Sequence, residues 1–274
     1  MAPPSLVLRR PAPSRAGRWR ALALSAFAFG WVVGLPTASR AGPIETVLAP
    51  SGAWVVETIH RAHRSDETPA LIVGLHGYGI DQSQMGTLVN VRPAIPHVYV
   101  AVRGRHAAPE GGFGWFAVSL ANDRVVFREA ELARVVNEVA DLLPVLAERY
   151  GADSARVHVV GYSQGGTLAL HTALARPDTA ASFTGFAGAL LPLASDGPPR
   201  SARTPVLIGH GTRDALISAA DVEASAERLR ARGRAVEVTS HPVPHVVSRA
   251  GREAITRWIE RHDPSRTDTN PNKE

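Results

Sequence analysis

The sequence of 274 residues contains no cysteine. The chain therefore forms no disulfide bond, and any fold that it adopts must be stabilised by its core. The same absence excludes a cysteine nucleophile, a zinc site with thiolate ligands and thiol redox chemistry. The 45% hydrophobic and 20% charged residues are ordinary for a globular protein, and the length allows one large domain with a buried core.

Lysine is almost absent, because Lys273 is the only one, and no acidic residue precedes Glu45. Residues 1–41 contain six arginines, so removing this segment changes the formal net charge from +5 to −1. The basic character of the chain therefore belongs to its N-terminal segment. Because the rest has no excess of positive charge, we expect no nucleic-acid partner.

The N-terminal segment, residues 1–41, has the pattern of an export signal. Arginines up to Arg20 precede the apolar run Ala21–Leu35, and Ser39 and Ala41 are small residues of the kind that a signal peptidase reads. The run is shorter than the ~20 residues that cross a bilayer comfortably. We predict cleavage near Ala41, no stable membrane insertion afterwards and a secreted or periplasmic protein. An uncleaved signal anchor is the alternative.

After this segment, apolar runs alternate with amphipathic stretches. Trp54–His60 is a plausible edge strand, and Pro144 should kink or divide a helix over Arg128–Tyr150. The alternation predicts an α/β fold with a mostly parallel sheet and helices on both faces. The domain is expected to span 42–262, followed by a disordered tail, 263–274. Active sites of such sheets lie at the carboxyl ends of the strands. The buried-strand candidates are Ala70–Leu75, Val98–Val102, Val157–Val160 and Val206–Gly209.

A G-x-S-x-G pattern, residues 161–165, follows one of these strands and precedes a helix. A nucleophile on such a tight turn has a strained backbone, and Gly161 and Gly165 remove collisions with the strand and helix. Gly166 lets the helix approach the sheet. The pattern predicts Ser163 as the nucleophile; the alternative is a glycine-rich turn with an incidental serine.

A serine nucleophile needs a base and an acid that orients the base. Asp214 follows the strand Val206–Gly209, and His245 follows the last predicted strand, Val236–Thr239. The chain order serine, aspartate, histidine is that of hydrolases with a G-x-S-x-G turn. We therefore predict Asp214 and His245 as the partners of Ser163.

Other residues compete for these positions. His241 is an alternative base, although its place near the end of a strand favours packing. Asp196 lies in a loop rich in proline and glycine, and Asp221 at a probable helix N-cap, so each is a weaker candidate for the acid. His76 and His210 each precede a glycine after a strand. No carboxylate cluster accompanies them, so we interpret them as hydrogen-bonded loop histidines and expect no metal.

Two backbone donors are expected for the oxyanion of a tetrahedral intermediate. One is the N–H of Gln164, directly after the nucleophile. The other is the N–H of Tyr78 in the glycine-rich loop His76–Gly79. The alternative is that this loop contains glycine only for its turn geometry.

Four stretches together resemble the phospholipase/carboxylesterase family of α/β-hydrolases, which includes acyl-protein thioesterases and small bacterial carboxylesterases. The resemblance implies an α/β-hydrolase fold that hydrolyses esters or thioesters through Ser163, Asp214 and His245 without a cofactor. In order and approximate spacing it covers residues 70–259. The stretches are Leu75-His76-Gly77-Tyr78-Gly79, Gly161-Tyr162-Ser163-Gln164-Gly165-Gly166, His210-Gly211-Thr212-Arg213-Asp214 and Pro244-His245.

The chain departs from the family at two places. The family commonly has Leu-Gly-Asp after His-Gly, where this chain has Tyr78-Gly79-Ile80, and its Trp-Phe-Asp stretch ends here in Ala117. These differences leave the chemistry intact and change the surroundings of the acyl group. We predict that Trp115 and Phe116 line the acyl or alcohol pocket; the alternative is that they anchor the core.

The sequence therefore predicts an exported serine carboxylesterase that acts on a small-molecule ester. No long insertion interrupts the series of strands and helices, so we expect little or no lid and a preference for short or soluble acyl esters. An extracellular polyester depolymerase or feruloyl-type esterase is one alternative. A non-catalytic binding protein with a hydrolase fold is the other.

Overall fold

A computed structural model describes residues 42–121, 124–196 and 204–265. Its strands are β1 (Ile44–Ala49), β2 (Gly52–Ala62), β3 (Ala70–Leu75), β4 (His97–Val102), β5 (His106–Ala107), β6 (Phe113–Gly114), β7 (Val118–Ala121), β8 (Arg124–Phe127), β9 (Val157–Tyr162), β10 (Ser182–Phe186), β11 (Pro205–Gly211) and β12 (Ala235–His241). Its α-helices are α1 (Met85–Leu88), α2 (Glu129–Arg149), α3 (Gln164–Ala175), α4 (Ala219–Ala231) and α5 (Arg249–His262).

Eight strands form one sheet in the order β1-β2-β4-β3-β9-β10-β11-β12. Strand β2 is antiparallel to both of its neighbours, and all other pairs are parallel. Every residue of β3, β4 and β9 is buried. Such continuous apolar runs are expected where helices cover both faces of a parallel sheet. The prediction of an α/β-hydrolase fold with a mostly parallel sheet is confirmed.

The helices divide between the two faces of the sheet. Helices α2, α3 and α4 contribute Leu142, Leu168 and Val222 to the core on one face. Helices α1 and α5 contribute Met85 and Ile255 to the core on the other. Because helices cover both faces of the sheet, an active site is expected in the loops at the ends of the strands.

One local prediction was wrong, and the structure narrows a second. Strand β2 is not an edge strand, because β1 pairs along it in a hairpin and leaves Trp54 only 1% exposed. Pro144 lies inside α2 and does not divide it. Leu143 and Leu146, on either side of the proline, are fully buried, so packing against the sheet outweighs the missing backbone hydrogen bond.

The ordered domain extends past the predicted boundary at residue 262. The carboxylate of Asp263 is fully buried and accepts hydrogen bonds from Arg156 Nε at 3.0 Å and from His158 Nε2 at 3.2 Å. A buried carboxylate needs such partners, and these hold Asp263 to the start of β9. The remaining tail and the predicted signal segment, 1–41, lie outside the described residues. No helix in the described part of the chain has the length and apolar character that crossing a membrane requires.

Candidate active site

Ser163 lies on the turn between β9 and α3 and has φ 55° and ψ −117°. Positive φ is rare for a residue with a side chain and costs of order 1–3 kcal/mol. The turn is held by the Ser163 N–H, which donates to the Phe186 carbonyl on β10 at 2.9 Å. The side chain is thereby presented at the carboxyl edge of the sheet, at the N-terminus of α3.

Glycine is required at the positions around this serine for steric reasons. A Cβ on Gly161 would overlap the carbonyl of Gly165, and one on Gly165 would overlap the carbonyl of Leu75. A Cβ on Gly166 would lie 2.8 Å from the Phe186 oxygen. The predicted reason for the glycine pattern, close approach of strand, turn and helix, is therefore confirmed.

Ser163, Asp214 and His245, which the sequence places after three different strands, meet at this edge of the sheet. Ser163 Oγ lies 2.8 Å from Nε2 of His245, which follows β12. Nδ1 of the same ring lies 2.7 Å from Oδ2 of Asp214, which follows β11. The arrangement is a continuous hydrogen-bonded chain from hydroxyl to imidazole to carboxylate, in which the imidazole is held at both nitrogens.

The Asp214 carboxylate is fully buried, and each of its oxygens accepts hydrogen bonds. Oδ1 accepts from the backbone N–H groups of Leu216 and Ile217 at 2.8 and 3.0 Å, while Oδ2 faces His245. Burial acts to raise the pKa of Asp214, but the hydrogen bonds from His245 and the two amides outweigh it and lower the pKa below its usual value. The group is therefore an anion at neutral pH.

The competing residues have other partners. His241 stacks on Phe186 with ring centroids 5.6 Å apart, and its Nε2 lies 3.2 Å from a threonine hydroxyl. Asp196 pairs with Arg228. Asp221 is the third residue of α4 and closes a capping box at its start. Within the described residues, the structure brings only His245 and Asp214 of these candidates to Ser163.

The loop His76–Gly79 lies against the serine. A Cβ on Gly77 would be 3.2 Å from the Ser163 Cβ, so the backbone of this loop passes directly beside the nucleophile. The Gly79 N–H donates to the Phe113 carbonyl at 2.9 Å. By contrast, the N–H groups of Tyr78 and Gln164 have no acceptor among the residues that the structure describes. Two backbone donors are therefore free near Ser163.

The His76 side chain contacts the backbone of this loop and of a neighbouring segment. It is fully buried, its Nδ1 lies 2.6 Å from the Gly77 carbonyl oxygen, and its Nε2 accepts from the Gly104 N–H at 2.9 Å. Burial lowers the pKa of His76 to about 4, so the ring is neutral at pH 7. His210 is also buried, at 5% exposure. No group of three potential metal ligands occurs in the described ranges.

Trp115 and Phe116 lie in the core, at 2% and 1% exposure. The Trp115 N–H donates to Gln164 Oε1 at 2.9 Å, and Gln164 Nε2 donates to the Phe116 carbonyl at 2.8 Å. The Trp115 indole N–H also donates to the His76 carbonyl at 2.7 Å. These contacts are those expected if the two aromatic residues anchor the core, which was the alternative interpretation of the sequence.

The side chain of Gln164 therefore joins the nucleophile turn to the loop after β6. Sequence reasoning considered only its backbone N–H and missed this second contribution. A usable signal was present, because a long amide side chain directly after the nucleophile begins an otherwise buried helix and must find buried partners.

Known proteins resemble this chain in sequence and in fold. The model of the family described as Phospholipase/Carboxylesterase matches residues 42–263. The chain belongs to this family. The family resemblance predicted from the sequence is thus confirmed by a match over residues 42–263.

Individual relatives are more distant. The chain is 30% identical over 115 residues to carboxylesterase SOBER1 of Arabidopsis thaliana, a match that covers 40% of this chain and 50% of that protein. It is 29% identical over 135 residues to probable carboxylesterase Os04g0669500 of Oryza sativa subsp. japonica, covering 47% of each. These matches span about half the length of the curated relatives. The Bacillus cereus carboxylesterase structure has the same fold, with a TM-score of 0.65 at 19% identity, covering 76% of this chain and 94% of that one.

Proposed function

We propose that this protein is an exported serine carboxylesterase that hydrolyses small-molecule esters with short or soluble acyl groups. The observation that carries the proposal is the chain of contacts from Ser163 Oγ to His245 Nε2 and from His245 Nδ1 to Asp214. A weak nucleophile, a base in hydrogen-bond contact with it and an anion that orients the base are the parts that acyl transfer needs.

In the first half of the reaction, Ser163 Oγ attacks the ester carbonyl while His245 Nε2 accepts the hydroxyl proton. Asp214 keeps the other ring nitrogen protonated and stabilises the imidazolium that forms. The negative charge that develops on the carbonyl oxygen is stabilised by the free N–H groups of Tyr78 and Gln164. His245 then gives its proton to the alcohol oxygen, the ester bond breaks, and an acyl-serine remains.

In the second half, water replaces the alcohol. His245 takes a proton from water as the oxygen attacks the acyl-serine, and the same two amides stabilise the second tetrahedral intermediate. Its collapse returns the proton to Ser163 Oγ and releases the carboxylic acid. No step requires a metal or an organic cofactor.

Substitution of the nucleophile tests the proposal. Ser163→Ala should lower kcat/KM for p-nitrophenyl acetate and butyrate by at least about 10³-fold, because no other group supplies the acyl acceptor. Ser154→Ala is the matched control, since Ser154 is an exposed serine next to the opposite end of β9. Esterase activity retained by the Ser163→Ala protein would refute the assignment.

Two further measurements decide between the alternatives. Covalent labelling of the wild type by a fluorophosphonate, absent in Ser163→Ala, is expected of an esterase, and an unlabelled wild type would favour a non-catalytic binding protein. Faster clearing of polyester films than hydrolysis of soluble esters would favour a depolymerase. For export, the mass of the protein recovered outside the cytoplasm should correspond to a chain that begins near Gly42. An intact N-terminus in the membrane fraction would indicate an uncleaved anchor.

A further inference from the structure

A basic cleft lies between the segment that follows α1 and the outer side of α5. It has a volume of about 350 Å³ and contains a single acidic side chain, Glu253. Its positive charges come from four arginines, Arg92, Arg249, Arg252 and Arg257. Asn90 and Thr256 complete the lining. None of the lining residues belongs to the site around Ser163.

Most of this positive charge is not neutralised within the protein. Arg249 Nε donates to Glu253 Oε1 at 2.9 Å, which accounts for the one acid of the cleft. Arg252 Nη1 donates to the Val247 carbonyl, which is a neutral acceptor. Arg92 and Arg257 form no salt bridge with any residue that the structure describes. The cleft therefore has an excess of three positive charges.

Two of these arginines also lie where a positive charge is unfavourable. Arg249 and Arg252 lie in the first turns of α5, whose first turn contains no acidic residue. The N-terminus of a helix has a partial positive charge, so cations there are unfavourable. An anion in the cleft would interact favourably with the guanidinium groups and would reduce the repulsion among them.

We propose that this cleft binds a phosphate-type oxyanion. Guanidinium groups are planar, remain charged and present paired N–H donors that match the spacing of phosphate oxygens. Two sources share this chemistry, a phosphorylated small molecule and the phosphate headgroup of an anionic lipid. Because Arg249 is only four residues from His245, either ligand would be held beside the loop that carries the candidate base.

Binding measurements with charge-matched variants test this proposal without using esterase activity. Arg92→Gln/Arg257→Gln removes two charges from the cleft. Arg230→Gln/Arg261→Gln removes two charges elsewhere, from arginines paired with Glu223 and Glu237. Each protein is titrated with pyrophosphate by calorimetry and sedimented with vesicles of phosphatidylcholine containing phosphatidylglycerol.

The cleft variant should bind at least about tenfold more weakly than the wild type, since it loses the charged hydrogen bonds of two guanidinium groups. The control variant should bind as the wild type does. Selective loss of pyrophosphate binding would identify a soluble ligand, and selective loss of vesicle binding would identify a headgroup. Equal losses in both variants, or no binding of either probe by the wild type, would overturn the proposal.

A second inference concerns Tyr162, the last residue of β9. Its hydroxyl donates to the carbonyl oxygen of His245 at 2.7 Å, and the centroids of the two rings are 5.5 Å apart. Burial raises the pKa of this hydroxyl, so it remains a donor throughout the neutral range. A Cβ on Gly77 would lie 3.2 Å from the tyrosine ring, which shows that the ring also packs under the loop that holds Tyr78.

We infer that Tyr162 is a positioning residue, an inference that rests on the proposed function. The hydroxyl ties the backbone of His245 to the end of β9, directly before Ser163, and so it limits how far the imidazole can move from the serine. The loop that carries His245 lies between β12 and α5. It contains Pro242 and Pro244, which have no backbone N–H to hold the loop in place. A small displacement of a reacting group can lower a rate by about 10²-fold.

Tyr162→Phe removes only the hydroxyl. We expect kcat for p-nitrophenyl butyrate to fall about tenfold with KM within about twofold, and fluorophosphonate labelling to slow in parallel. Tyr99→Phe is the matched control, because the Tyr99 hydroxyl is buried without a hydrogen-bond partner among the described residues. A merely structural role would lower the unfolding midpoint and leave kcat and labelling at the control values, which would refute the inference. Activity retained by Ser163→Ala would instead refute the proposed function.

Discussion

Gln164 offers the sharpest test of how the candidate site is held together. Its side-chain amide accepts a hydrogen bond from the Trp115 N–H and donates one to the Phe116 carbonyl, both in the loop after β6. Truncation to alanine keeps the backbone N–H that we propose for the oxyanion and removes only the side chain. The buried N–H of Trp115 and the buried carbonyl of Phe116 then lose their partners.

The cost follows from these two groups. An unsatisfied buried donor or acceptor costs ~1–3 kcal/mol. Because Gln164 is 8% exposed, some water can enter after truncation, so we expect a total of about 2–4 kcal/mol. For a domain of this size that lowers Tm by about 5–15 °C. Gln164→Glu should be at least as harmful, because a carboxylate oxygen would replace the amide donor that faces the Phe116 carbonyl.

The assay is urea unfolding followed by fluorescence, with kcat measured well below the transition. Gln82→Ala is a comparison in another part of the fold, because Gln82 is buried but has a single hydrogen bond, to Glu57 at 3.2 Å. It should cost about 1 kcal/mol and leave kcat within about twofold. If Gln164→Ala unfolds at the wild-type midpoint, the amide does not hold the loop and our reasoning is wrong.

Three further outcomes are expected. Gly165→Ala should prevent native folding, seen as loss of near-UV circular dichroism, because its Cβ would overlap the carbonyl at the end of β3. Asp263→Asn should lower the free energy of unfolding by about 3–5 kcal/mol in urea titrations, because it leaves a buried arginine without its counter-charge. Burial lowers the pKa of His76 and of His60 to about 4. Since these rings are neutral in the fold and take up protons below about pH 6.5 when unfolded, Tm should be highest above pH 6.5 and fall steadily toward pH 4.

Each of these has a control. Gly151→Ala should cost only about 1 kcal/mol, because Gly151 has a positive φ but nothing within 4 Å of an added Cβ. Asp66→Asn removes a carboxylate from an exposed ion pair and should change the unfolding free energy by less than about 1 kcal/mol. A Tm that is constant between pH 7.5 and 4.5 would contradict the assignment of neutral buried histidines.

The elements that sequence reasoning predicted correctly are those whose cause is local. A run such as Ala70–Leu75 identifies a buried strand because each residue of it must avoid water. The glycines around Ser163 identify the nucleophile turn because the collisions that they prevent involve the strand and helix on either side. What the sequence did not decide depends on non-local contacts. Whether β2 lies at an edge depends on β1 folding back along it, and Pro144 is tolerated because leucines around it pack on the sheet.

The fold class, the family and the residue types available for acyl transfer follow from the sequence alone. Hydrophobic periodicity, the glycines of tight turns and short motifs each involve residues that are close together in the chain. The sequence left His241 and His245 as competing bases. The folded chain was needed to show which of them faces Ser163, because that contact joins residues 82 positions apart and depends on the order of β9, β10, β11 and β12. The same holds for the Gln164 amide and for Asp263, whose partners are 49 and 107 positions away and are selected by packing.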